Sequence, residues 1–134
     1  MRPSIAYRRI LVPVGGAGFA GVKTACSLAA EHGATVTAID VIEVPAALPL
    51  DADMTEQEAE VRESLTRAEA IGDRHGVGVE RLVVRARRAG EAIITSAEEW
   101  DSELIVLRTT GLAKTEKYVL QHARCRVLLS TSTR

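Results

Sequence analysis

Lys114 and Thr115, placed just after Gly111 and at the start of a helical pattern, are the pair most suggestive of phosphate chemistry in this chain. A P-loop ends in such a pair because the ammonium reaches phosphate oxygens and the hydroxyl holds a metal ion. The full motif is G-x-x-x-x-G-K-[ST]. Its flanking glycines are missing here, which sets the P-loop aside. A simpler anion site remains open. Arg108, Thr109, Thr110, Lys114 and the helix-start amides would together suit a small anion or a single phosphate. The bland alternative is that the threonines cap the helix while Arg108 and Lys114 sit in solvent.

Other reactive side chains assemble into less. Arg81, Arg85, Arg87 and Arg88 resemble a nucleic-acid patch, but charged residues on an edge strand also discourage edge-to-edge pairing, and that reading is preferred. Only Arg88, near the carboxyl end of its strand, approaches a ligand site. His32, His75 and His122 lie near helix C-termini, where a cation suits the dipole, and no two share a helix face that would hold a metal. Cys26 and Cys125 have no metal or redox spacing and read as reduced, buried, structural thiols. No Ser/His/Asp or Cys/His arrangement is tied to a turn, so the chain is expected not to be an enzyme.

Placing these residues requires the elements around them. Ile10-Leu11-Val12 is a continuous apolar run closed by Pro13 and Gly15-Gly16, as in a strand buried on both faces. Phe19, Val22, Cys26 and Ala29 then recur at helical spacing, and Gly33 can take the left-handed cap. Ala34–Val41 is a second strand. After the proline-bearing connector 45–53, Thr55 and Glu58 have capping-box spacing. Val61, Leu65, Ala68 and Ile71 mark the inward face of the helix that follows. Val77–Ala86 is a third strand. Ala89–Trp100 is a helix with Ile93, Ala97 and Trp100 on one face. Glu103–Thr109, Lys114–His122 and Cys125–Ser130 complete the alternation.

Alternating strands and helices imply βαβ units. The expected fold is α/β: a doubly wound, five-stranded parallel sheet of order 3-2-1-4-5, with ligands bound beyond the carboxyl ends of strands 1 and 4. The pocket loops are then 13–18 and 108–114. At 134 residues the chain is one domain, 1–134. A hydrophobic share of 46% and a net charge of −1 suit a globular protein without a general drive toward nucleic acid or anionic lipid. Aromatics are too few for a single-strand stacking platform. Neither a signal peptide nor a membrane helix is visible, so a cytoplasmic location is expected.

Over Tyr7–Leu129 the chain resembles the universal stress protein family. The matching pieces are ILVPV, GEAIITSAEEWDSELIVL and YVLQHARCRVLL. The stretches EVPAALPLDAD, LVVRARRAGEAI and AKTEKYVLQHARCRVLL look like the subgroup of such domains appended to amino-acid and cation permeases. The resemblance implies a Rossmann-like, nucleotide-binding type of domain. ATP-binding members carry an Asp after the first strand, where this chain has Gly15. They also carry G-x-x-G, a spacer, and G-S/T. Here Arg108 replaces the first glycine, Gly111 matches the second, and the spacer is nearly absent before Ala113, Lys114 and Thr115. Val41 matches a position where members touch adenine through the backbone. The ligand positions implied are Pro13, Gly15, Gly16, Val41, Arg108, Gly111, Lys114 and Thr115.

The favoured functional reading is a non-enzymatic regulatory or ligand-sensing module with a degenerate ATP site, acting in stress response by protein contacts and without a tightly held cofactor. The alternative is a sensor of ATP, AMP or a cyclic dinucleotide, regulating a transporter such as a permease. Weak ATP hydrolysis is a third, disfavoured class. The last strand, with Val127, Leu128 and Leu129 in a row, is expected at an unprotected sheet edge. Family members commonly dimerise through this strand, so a homodimer joined there is expected.

Overall fold

The structure is a computed structural model and describes residues 7–15, 19–109 and 113–131. Strand and helix alternate as β1 (Arg9–Pro13), α1 (Ala20–His32), β2 (Thr35–Glu43), α2 (Thr55–Arg74), β3 (Val79–Ala86), α3 (Ala89–Glu99), β4 (Leu104–Thr109), α4 (Lys114–His122) and β5 (Arg126–Thr131). The five strands pair in the order β3-β2-β1-β4-β5, every pair parallel. This is the doubly wound order expected from the alternation.

The period of two along β1 divides the core. Ile10 and Val12 face α1 and α2, where they meet Val22, Cys26, Leu65 and Ala68. Leu11 faces the opposite layer and packs with Ile93, Ala97, Ile105 and Val119 from α3, β4 and α4. A central strand covered on both sides has no solvent face, which is why its sequence is a continuous apolar run. Gly33 ends α1 in the left-handed region (φ 70) and its N–H bonds to the Ala29 carbonyl, as the His32-Gly33 pair predicts.

Several local expectations are corrected. The capping box at Thr55 does not form: Met54 is the N-cap of α2, the Thr55 hydroxyl donates to the Asp53 carboxylate, and the Glu58 carboxylate is held by Arg85. A charged partner across the β2–α2 connector outcompetes a helix-end amide for that carboxylate. Trp100 falls one residue past α3 and is 38% exposed, so it leaves the inward face on which its spacing places it. Cys26 is buried while Cys125 is only half-buried.

Arg81 and Arg85 of β3, and Arg87 just past it, are structural. Arg81 donates to both carboxylate oxygens of Glu69 and to the Thr66 hydroxyl on α2. Arg85 donates to the Leu50 and Ala52 carbonyls, and Arg87 to those of Pro45 and Leu48. These cations fasten the connector and α2 to the edge of the sheet. Only Arg88, with its side chain 72% exposed, is left largely in solvent.

Candidate functional site

The carboxyl ends of β1 and β4 diverge at the switch point of the sheet, and a cleft of about 190 Å³ opens there. Pro13, Gly15, Val41, Arg108 and Thr115, all singled out from the sequence, line it. Gly16 and Gly111 lie outside the described residues. Lys114 does not join Arg108. It lines a neighbouring notch of about 460 Å³ between the starts of α3 and α4, with Arg88, Glu43 and Tyr118. The two spaces share Ala89 and Thr115 as a common wall.

This notch is a poor cradle for phosphate. The first amide of α3, that of Ala89, already donates to the Glu43 carboxylate at 2.7 Å. A built-in carboxylate thus occupies the position a bound anion would take at a helix start. Arg88 lies 3.4 Å from Glu91. The N-cap of α4 is Ala113, which offers no capping side chain. Arg88 and Lys114 share this notch with two acids, Glu43 and Glu91, while Arg87 is spent on backbone carbonyls.

The main cleft is more acidic than the sequence pattern suggests. Asp40, from the last part of β2, is buried with 9% of its surface exposed and forms part of the wall. It makes no ion pair among the described residues. Burial pushes its carboxyl up to about 6; the backbone N–H of Val41 opposes that shift, and the Glu60 carboxylate adds to it. Glu116, in the first turn of α4, lines the same cleft. Its Oε1 is buried without a hydrogen-bond partner among the described residues. Asp40 could have been noticed as the one acid inside the apolar run AIDVI at a strand's carboxyl end. Glu116 carries no comparable signal, because an acid in a first helical turn is ordinary.

Gly15 and Asp40 are built for each other. Gly15 has φ +107, and a Cβ added there would lie 3.0 Å from Asp40 Oδ1. Any L side chain at this position is therefore strained by its backbone and pressed against a carboxylate. Gly15→Asp, which restores the acid of the ATP-binding pattern, is expected to destabilise the protein by about 2 kcal/mol or more and to create no ATP binding. Urea unfolding alongside calorimetry with Mg-ATP checks both halves; an undiminished unfolding midpoint or micromolar ATP binding would contradict them.

The remaining candidates serve structure. The Tyr7 N–H donates to His32 Nδ1, His75 Nδ1 meets the Ile71 carbonyl, and His122 stacks on Tyr118. Among the described residues no cluster of His, Cys, Asp and Glu could hold a metal, and no helix is long and apolar enough to cross a membrane.

Comparison with known proteins agrees with this geometry. The model of the universal stress protein family matches residues 6–130. UspA from Lactobacillus plantarum superposes with a TM-score of 0.80 at 24% identity, covering 95% of this chain and 99% of that one. The universal stress protein of Archaeoglobus fulgidus in complex with dAMP gives 0.78 at 20% identity, covering 94% and 99%. An Arabidopsis thaliana family member with AMP bound gives 0.71 at 17% identity, covering 94% and 92%. No curated protein matches the chain in sequence.

Proposed function

The chain belongs to the universal stress protein family, and on that premise we propose that it is a non-enzymatic, ligand-sensing regulatory module. Its cleft takes a small adenine compound rather than ATP. The observation that carries this reading is the make-up of the switch-point cleft, where Pro13, Gly15 and Val41 frame a space walled by Asp40 and Glu116 and served by one guanidinium, Arg108. The adenine part of the reading is supported by relatives that hold dAMP and AMP. Exclusion of a triphosphate follows from charge: a single partly buried cation that shares the cleft with two carboxylates cannot offset several phosphate charges.

ATP is accordingly expected to bind with a Kd of about 1 mM or weaker, about −4 kcal/mol. Isothermal calorimetry with Mg-ATP tests this, and a micromolar constant would remove the proposal. Output in this reading passes through protein contact in the cytoplasm. A permease is the class of partner that the resemblance to permease-appended domains supplies. Assembly belongs to the same reading, with two copies joined through β5.

A further inference from the structure

Asp40 has no role in holding the fold that its contacts explain. It is more than nine-tenths buried, it has no ion-pair partner among the described residues, and the charge that acts on it is another acid, Glu60. A buried charge without a partner is unfavourable and persists where something else requires it. Its position supplies the reason. Gly15 leaves room beside the carboxylate, and Asp40 forms the wall common to the main cleft and to a smaller one of about 140 Å³ that reaches Glu43, Glu60 and Ser64 on the α2 side.

Carboxylate acceptors dominate this groove. Asp40 and the unpartnered Oε1 of Glu116 face the main cleft, and Glu43 and Glu60 line the smaller one, where no cation is present among the described residues. Arg108 is the only cation lining the main cleft among the described residues. In the notch beyond, Arg88 lies beside Glu91, and Lys114 shares the space with Glu43, whose carboxylate accepts the Ala89 N–H. A ligand that satisfies these groups brings hydroxyl or amine hydrogens and no net negative charge. Each phosphate it carried would add repulsion at Asp40, with Arg108 alone in the main cleft to offset it among the described residues.

We propose that Asp40 is a specificity-determining residue that accepts hydrogen bonds from hydroxyl or amine groups, so that the cleft selects an uncharged nucleoside over its phosphorylated forms. This rests on the adenine-binding reading above and narrows it to the nucleoside class. The acid reaches the ligand from the end of β2, through the space that Gly15 leaves open.

The test compares adenosine with AMP on the full chain at pH 7.5 by calorimetry, with the Asp40 side-chain carboxyl followed by NMR in the same samples. Adenosine is expected to bind at least tenfold tighter than AMP, and Asp40→Asn to reduce that preference to less than threefold, because the amide accepts hydrogen bonds without repelling phosphate. Adenosine is also expected to lower the titration midpoint of Asp40 by donating to the charged form; Glu60, Glu43, Glu116 and Arg108 face the same groove and are followed as internal controls. AMP binding as tightly as adenosine, or a preference unchanged in Asp40→Asn, would overturn the assignment of Asp40 while leaving the adenine reading intact. Binding of neither compound would overturn both.

Discussion

Asp40→Asn should make the protein more stable at pH 8 by about 2–3 kcal/mol. The folded protein holds the Asp40 carboxyl at about 6, against an ordinary value of 3.8. Each unit of that difference corresponds to about 1.4 kcal/mol. The sign follows from proton uptake. Between 3.8 and about 6 the folded state holds a proton that the unfolded chain has already released. Stability at this residue therefore falls as pH rises through that window, and the full penalty is present above it. The asparagine variant carries no such penalty, so its advantage over the parent is greatest above pH 6 and shrinks toward pH 4. Urea unfolding of both proteins at pH 8 and pH 4.5 reads this difference directly. For a domain of this size the gain at pH 8 corresponds to several degrees in Tm. A variant less stable than its parent at pH 8 would mean that the carboxylate has a stabilising partner after all. A residue that weakens the fold in exchange for ligand recognition is the ordinary trade-off of a binding site.

The same residue marks the limit of what the sequence makes legible. A doubly wound parallel sheet could be read in advance because Ile10, Leu11 and Val12 demand cover on both faces and the alternating helical patterns supply it. The switch point after strands 1 and 4 brings Pro13, Gly15 and Arg108 to one cleft, and the family resemblance adds Val41 and Thr115. What was hidden depended on side-chain partners far apart in sequence. Glu58 was taken by Arg85 rather than by the helix end three residues earlier. In sequence Arg81 and Arg87 read as free edge charges, because their partners on α2 and the connector are remote along the chain. Lys114 and Arg108 flank one loop but open into different spaces, because the start of α4 turns one of them toward α3. Trp100 obeyed the helical period and still reached solvent, since α3 ends one residue before it. Periodicity reports which face is buried. It does not report which charge a carboxylate will find.

Leu128→Lys should convert a dimeric protein into folded monomers. β5 is an edge of the sheet, bonded on one side to β4 and open on the other. Leu128 and Leu129 remain 37% and 39% exposed there, on opposite faces of the strand. An apolar edge with no proline or lysine in its span is a ready template for a second strand. The opposite edge competes poorly, because the arginines of β3 hold α2 and the connector across its flank. Two copies meeting β5 to β5 across a two-fold axis would bury Leu128 and Leu129 of both, each strand serving as template and guest. Side chains on both faces are covered at once in such a continuous sheet. A lysine at Leu128 places two like charges near the axis and removes two apolar contacts, while the monomer loses only a partly exposed side chain. Its unfolding midpoint should therefore change little, by about 0.5 kcal/mol or less, as for other surface substitutions. Light scattering at micromolar concentration separates the outcomes. A monomeric parent, or a dimer that survives the substitution, would exclude β5 as the interface; a monomeric variant with an intact unfolding transition is the expected result.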